Sequence, residues 1–245
     1  MKTIAHGING MEQIKENISN EDIDGMEIDF QYCDGHFINT HHFYFGSPLI
    51  RSNWLDQRSY DSIKDKRYTG DCYDLEEVIS FIGTEKEIVI DLKNWIMAFP
   101  GFFINGNYAY LHDRDMLANL FWDIMIKYKD YSNILIQSYD CELIIKLIEI
   151  ANKRNISHGF DFGILARNTD QGEDALFCCK ENSISFLSIR YKALKNLGGS
   201  GKICREIQRP INIYGWFDLD DFLMPKSKRL ELINKSKCNG YIKGI

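Results

Sequence analysis

The chain has no Cys-x-x-Cys pair, no apolar run of about 18 residues that would span a membrane, and no surplus of basic residues. Its seven cysteines are odd in number and lack the ligand spacing of a zinc site. The N-terminus lacks the apolar run of a signal peptide. We therefore expect free thiols in a reduced, cytoplasmic protein without a transmembrane segment. The net charge of −6 excludes a general attraction to nucleic acid or anionic membranes.

The composition is that of a folded chain. Hydrophobic residues make up 44% and aromatic residues 13% of the 245 residues, which is ample for a packed core and argues against disorder. No low-complexity linker divides the sequence. Because one α/β barrel has about this length, we expect a single domain over residues 1–245.

Short β-branched apolar runs alternate with helical patterns along the chain. The predicted strands are Lys2–His6, Gly25–Gln31, Glu87–Leu92, Asn133–Gln137, Gly159–Leu165, Ile184–Arg190, Ile211–Trp216 and Gly240–Ile242. The predicted helices lie near 10–21, 74–83, 113–130, 140–154, 171–182, 192–208 and 219–236. Eight strands and seven helices favour an α/β fold, a (β/α)₈ TIM barrel that lacks its last helix, over a doubly wound sheet.

Two segments interrupt this alternation. Gly35–Phe45 is predicted to be an extra extended segment after the second strand, and Asn94–Tyr110 a long aromatic loop after the third. In a barrel, both emerge at the carboxyl ends of the strands, where active sites are built.

Ionisable residues occupy positions of the early strands where apolar residues are expected. Glu27 and Asp29 are two residues apart, as are Asp91 and Lys93, so each pair faces one side of its strand. Like charges about 5 Å apart cost on the order of 3 kcal/mol per pair, so the three carboxylates need a counter-charge. An all-oxygen set favours Mg²⁺ or Ca²⁺; the alternative is ion pairing with Lys or Arg at the barrel rim.

Two further residues complete this candidate site. His6 ends the first strand and is either a hydrogen-bonded rim residue or an acid–base catalyst, a role that suits histidine near neutral pH. Lys93 either neutralises charge on a phosphoryl oxygen or is a structural partner of Asp91.

The order of these residues resembles the glycerophosphodiester phosphodiesterase superfamily. The resemblance rests on His6, Glu27-x-Asp29, Asp34-Gly35 with His41 seven residues after Asp34, and Asp91-x-Lys93. It implies a TIM barrel, a divalent metal held by Glu27, Asp29 and Asp91, and two histidines that act as acid and base. The implied activity is that of a phosphoric diester hydrolase acting on a small phosphodiester or a (lyso)phospholipid.

The chain also departs from that pattern. Gly7 replaces the usual Arg after the first histidine, and the family's Glu-Asn-Thr loop is missing. The short connection from His6 to Glu27 is similar to the sphingomyelinase D branch, whose disulfide-closed loop is absent here. The second histidine is His41 by the bacterial pattern, which we favour, and His42 by the sphingomyelinase D pattern.

Three residues at later strand ends are candidate substrate contacts. Trp216 either lines the substrate pocket or packs in the core, Arg190 binds phosphate or forms an ion pair at the rim, and Gln137 contacts a polar substrate group. Two other functions stay open, namely a catalytically impaired family member that binds a phosphorylated ligand and a metal-dependent isomerase or aldolase. The oligomeric state stays open as well.

Overall fold

The computed structural model describes residues 1–8, 10–40, 59–64, 72–96, 109–110, 112–217 and 224–244. Within these ranges, strands alternate with helices. The strands are β1 (Lys2–His6), β2 (Gly25–Cys33), β3 (His36–Asn39), β4 (Glu87–Lys93), β5 (Trp95–Ile96), β6 (Ala109–Tyr110), β7 (Ile134–Ser138), β8 (Asp161–Ala166), β9 (Phe186–Arg190), β10 (Asn212–Trp216) and β11 (Gly240–Gly244). The helices are α1 (Met11–Ile18), α2 (Tyr60–Lys64), α3 (Leu75–Ile82), α4 (Arg114–Met125), α5 (Cys141–Lys153), α6 (Thr169–Glu181), α7 (Tyr191–Asn196), α8 (Ser200–Ile207) and α9 (Lys226–Lys235), with a 3₁₀ turn at Ile126–Tyr128.

The parallel strands follow one another around a curled sheet. Their order is β1, β11, β10, β9, β8, β7, β4 and β2, and β1 also pairs with β2 through Ile4 opposite Gly25 and Ala5 opposite Met26. Strand β1 thus has a parallel partner at each of its edges, β11 and β2, which confirms the predicted α/β fold of the TIM-barrel type. None of the described helices is long and apolar enough to cross a membrane.

Large side chains fill the interior of the barrel next to small ones. A side chain at Gly163 would place its Cβ 2.3 Å from the Phe186 ring, and one at Gly240 would lie 2.4 Å from the Tyr214 ring. Both glycines therefore leave room for an aromatic ring. Phe186 and Tyr214 form a buried interior cluster with four aliphatic residues, Ile4, Val89, Leu135 and Ile242.

The helices cover the outside of the sheet with their apolar faces. In α3 these are Leu75, Val78, Ile79 and Ile82, all buried, behind the capping box of Asp74 and Glu77. Asp140 caps α5, whose Leu143, Ile144 and Leu147 are buried in the same way. Both caps and both apolar faces agree with the predicted helices near 74–83 and 140–154.

Several predicted boundaries differ from the structure. The single helix predicted over 192–208 is wrong, because α7 and α8 are separated at Gly198 and Gly199, whose φ angles are +92° and +83°. Only glycine adopts such values at little cost, and they end the first helix. Strand β2 continues to Cys33 because its last residues pair with β3. Strands β5 and β6 pair at the two ends of the predicted loop over 94–110.

Candidate metal centre and acid–base site

Strand register brings three carboxylates together at one end of the barrel. Asp29 on β2 lies directly opposite Asp91 on β4, and Glu27 shares their face because it precedes Asp29 by two residues. Each of the three can place one carboxylate oxygen within 4.8 Å of the other two. Their exposed fractions are 2% for Glu27, 2% for Asp29 and 0% for Asp91, so little water solvates these charges.

Lys93 compensates part of this negative charge. Its Nζ lies 2.7 Å from Asp29 Oδ1 and 2.8 Å from Asp91 Oδ2. The sequence predicted an Asp91 partner or a phosphate ligand, and the contacts here are those of a partner to both aspartates. One ammonium and three carboxylates still leave two formal negative charges, which one divalent cation would balance.

The pKa values of these groups reflect burial and mutual charge. Burial raises the pKa of Glu27 well above its usual 4.5, and the charges of Asp29 and Asp91 add to the shift. Burial also raises the pKa of Asp91 to about 6, while Lys93 acts in the opposite direction. Burial lowers the pKa of Lys93, but the neighbouring carboxylates outweigh it and raise that pKa well above 10.5. Lys93 therefore stays charged.

The donor set fits a hard divalent cation. All three candidate ligands are carboxylates, as Mg²⁺ and Ca²⁺ prefer. Within the described part of the chain, the buried atoms Glu27 Oε2 and Asp91 Oδ1 accept no hydrogen bond. Buried carboxylate oxygens are otherwise nearly always partnered, so these two are open to a metal.

His6 stands next to the carboxylates at the end of β1. Its Nε2 lies 3.4 Å from Glu27 Oε2, and its side chain is 43% exposed. The backbone of the next residue, Gly7, donates a hydrogen bond to the Glu27 carboxylate and has a φ of +84°. Glycine adopts this left-handed conformation at little cost, and the turn brings the N–H group of Gly7 to a candidate metal ligand.

His41 and His42 lie outside the described residues, so the choice between them stays a prediction. Thr40, directly before them, accepts a hydrogen bond from Gln31 Nε2 at 2.8 Å. Gln31 is paired in register with Lys93. The chain is therefore held beside the site at the last described position before the two histidines.

The candidate substrate contacts lie on β7, β9 and β10, of which β7 is the neighbour of β4. Gln137 is fully buried opposite Asp91 in register and accepts a hydrogen bond from Ser188 Oγ at 2.6 Å. Trp216 is half-buried against the interior cluster, and its register partner is Arg190, also half-buried at the end of β9. The register places these three near the same barrel end as the acids; their binding roles stay predictions.

Sequence reasoning missed several residues around this site. Tyr139 lies close enough to Lys93, Asp91 and Arg167 for their charges to act on its phenol, whose pKa burial raises. Ser188 contacts Gln137 across 51 residues of sequence. Tyr139 and Arg167 each lie two residues after a predicted strand, a position that many loop residues share.

Comparison with known proteins gives the fold a precedent. No sequence-family profile and no curated protein matches the chain. A candidate glycerophosphoryl diester phosphodiesterase from Silicibacter pomeroyi has a similar structure, with a TM-score of 0.69 and 11% identity over 98% of this chain and 88% of that one. A glycerophosphodiester phosphodiesterase from Thermotoga maritima has a TM-score of 0.65 and 15% identity over 98% and 92%.

A third crystal structure agrees with these two. It is a candidate glycerophosphodiester phosphodiesterase from Galdieria sulphuraria, with a TM-score of 0.64 and 14% identity over 99% of this chain and 93% of that one. The structural similarity shows a shared barrel fold. At identities of 11–15% it does not show a shared activity, which has to be argued from the site.

Proposed function

We propose that the protein is a metal-dependent phosphodiesterase that cleaves a glycerophosphodiester or a related (lyso)phospholipid. The observation that carries this proposal is the meeting of three buried carboxylates within 4.8 Å, with an imidazole 3.4 Å from one of them. The similarity of the barrel to those of glycerophosphodiester phosphodiesterases supports the choice of reaction.

Glu27, Asp29 and Asp91 would hold Mg²⁺ or Ca²⁺. When bound, such an ion supplies Lewis-acid stabilisation to a non-bridging phosphoryl oxygen. Lys93 forms ion pairs with both aspartates and would add positive charge near the phosphoryl group. Both effects suit a reaction in which negative charge increases on phosphoryl oxygens.

His6 is the residue within reach for proton transfer. Its side chain is open to solvent, and Glu27, beside Nε2, stabilises the imidazolium that forms when His6 takes a proton from the attacking hydroxyl. The second histidine, His41 in our prediction, would protonate the leaving oxygen. The attacking hydroxyl belongs either to water or to the substrate itself, and the latter gives a cyclic phosphate.

Hydrolysis of glycerophosphocholine, glycerophosphoglycerol and lysophosphatidylcholine, followed by ³¹P NMR, tests the proposal and separates the two attacking groups. We expect activity with Mg²⁺ or Ca²⁺, loss of activity with EDTA, and a loss of about 10²- to 10⁴-fold in kcat for His6→Ala. His158→Ala is the matched control, because His158 precedes β8 at the opposite end of the barrel, and it should retain activity. Activity that survives both EDTA and His6→Ala contradicts the proposal.

A second function has one observation in its favour. Lys93 contacts the same two aspartates that a metal would use, which also suits a family member that has lost its metal and binds a phosphorylated ligand. Calorimetric titration with Mg²⁺ and Ca²⁺ separates the two, since only the enzyme should bind either ion, and Asp91→Asn should abolish that binding.

A further inference from the structure

Two buried hydrogen-bond donors lie at the same end of the barrel as the carboxylates, Gln137 on the strand next to Asp91 and Trp216 on β10. Gln137 is fully buried, and its Nε2 has no hydrogen-bond partner in the described part of the chain. The same holds for Trp216 Nε1, a buried atom on a ring that packs against the interior cluster. Buried N–H groups are nearly always partnered, so both are candidate contacts for an acceptor on a bound substrate.

Ser188 fixes the orientation of the Gln137 amide. Its hydroxyl donates to Gln137 Oε1 at 2.6 Å, and both residues are buried. Strand β8 lies between their strands, so the bond passes over it inside the barrel. With Oε1 held by Ser188, the amide presents its NH₂ group as a donor.

The three carboxylates and the two N–H donors at this end of the barrel suit different parts of one substrate. Strands β2 and β4 carry the carboxylates, whereas β7 and β10 carry the two donors. The two groups of residues are neighbours at one point, because Gln137 lies directly opposite Asp91 in the strand register. A phosphodiester whose phosphoryl group is held near the carboxylates would extend one of its alcohol groups towards Gln137 and Trp216.

We propose that Gln137, oriented by Ser188, and Trp216 form a donor subsite for an oxygen-bearing alcohol group of the substrate, such as a polyol, and disfavour a quaternary ammonium group. This inference rests on the proposed phosphodiesterase function. A hydroxyl or anionic oxygen accepts the two N–H groups, whereas a choline group offers no acceptor and leaves both buried donors unpaired. Ser188 is a positioning residue in this subsite.

Three diesters with the same leaving group test the subsite. They are p-nitrophenyl myo-inositol phosphate, p-nitrophenyl phosphocholine and methyl p-nitrophenyl phosphate, which differ in the alcohol that stays on phosphorus. The inositol ester also carries a neighbouring hydroxyl that can attack phosphorus, so the subsite is judged by how each variant changes the ratio relative to the parent protein. We expect kcat/KM for the inositol ester to exceed that for the choline ester by about tenfold or more, as for a site that loses hydrogen bonds to one of two substrates.

Substitutions then assign the preference to residues. Gln137→Glu keeps the acceptor for Ser188 and replaces the NH₂ donor by a carboxylate oxygen, so the inositol-to-choline ratio should fall at least tenfold and favour choline. Trp216→Phe removes the N–H and keeps an aromatic ring, which should lower the inositol-to-methyl ratio about tenfold. Ser188→Ala should lower the same ratio, chiefly through KM. Its control is Ser185→Ala, in which the lost hydroxyl contacts Phe162 beyond the other end of β9.

The outcomes distinguish the subsite from the activity on which it rests. Equal kcat/KM for the inositol and choline esters, or an unchanged ratio in Gln137→Glu, overturns the subsite while the phosphodiesterase stands. If no diester is hydrolysed, the proposed function fails, and calorimetry with inositol 1-phosphate and phosphocholine still decides the subsite. Tighter binding of inositol 1-phosphate that Gln137→Glu abolishes supports it, and equal binding of the two overturns it.

Discussion

The negative charge of Glu27 destabilises the folded state when no metal is bound. It is buried with two other acids, and burial and those charges raise its pKa. Glu27→Gln should therefore increase the free energy of unfolding of the metal-free protein at pH 7.5, by on the order of 1–2 kcal/mol. Urea unfolding in EDTA measures it, with the exposed pair residue Glu12 as control, where Glu12→Gln should change little. A destabilised Glu27→Gln protein would contradict this account.

Lys93, unlike the charge of Glu27, stabilises the folded state of the metal-free protein. Lys93→Met removes the ammonium between Asp29 and Asp91 and leaves buried carboxylates without that cation. The metal-free variant should lose about 3–5 kcal/mol of stability, as when one partner of a buried pair is removed. Adding Mg²⁺ or Ca²⁺ should restore part of the loss in thermal unfolding. Lys15→Met, which removes a surface partner of Glu12, should neither lose this much nor respond to the metal.

At the scale of elements, a buried hydrogen-bond cluster links two strand ends to two helices. Asp140 caps α5 and accepts hydrogen bonds from Arg114 Nε at 2.9 and 2.8 Å and from Asn94 Nδ2 at 3.1 Å. Ser138 Oγ extends the cluster by donating to the Leu92 carbonyl at 2.6 Å. The ends of β4 and β7, which carry Asp91 and Gln137, are therefore held together behind the site.

Asp140→Ala should destabilise the protein far more than loss of an ordinary helix cap. It removes a cap, worth about 1 kcal/mol, and the buried acceptor that Asn94 Nδ2 and Arg114 Nε share, which adds roughly 1–3 kcal/mol; Asn94 keeps the His112 carbonyl and Arg114 keeps Glu142. Asp113→Ala is the matched control, since Asp113 caps α4 at Met116 N at an exposed position. Equal losses in urea unfolding for the two variants would show that Asp140 acts only as a cap.

The elements also show what the sequence could predict. Alternating apolar runs located every barrel strand, and the spacing of two placed Glu27 with Asp29 and Asp91 with Lys93 on shared faces. The break at Gly198 was missed because the helical pattern continues on both sides of it. The contacts of Asp140 with Asn94 and of Gln137 with Ser188 join residues 46 and 51 positions apart, and such pairs follow from strand order rather than local pattern.

For the whole molecule, stability should decrease in alkaline solution because two thiols are buried in the core. Burial raises the pKa of both Cys179 and Cys238 from 9.0 to about 12. Between pH 9 and 12 the unfolded chain releases these protons and the folded chain retains them, so the free energy of unfolding falls as pH rises. The loss is on the order of 1 kcal/mol per thiol at pH 10.

Urea unfolding at pH 8 and pH 10 checks this dependence. Cys179→Ala should be less stable than the parent protein at pH 8 because it leaves a small cavity, yet lose less stability between the two pH values. Cys204→Ala, at a half-buried position on α8, is the control. An identical pH dependence in Cys179→Ala and the parent protein would contradict the prediction.

The rings of Phe186 and Tyr214 pack on Gly163 and Gly240 and fill the barrel interior on the far side of the carboxylates from His6 and Lys93. Among the described residues, these rings and their four aliphatic neighbours fill the interior behind the carboxylates, so a substrate of the proposed reaction and its product would share one entrance. A new substrate molecule could then bind only after the product has dissociated. A product that dissociates slowly from this end of the barrel would therefore act as a competitive inhibitor of the proposed reaction.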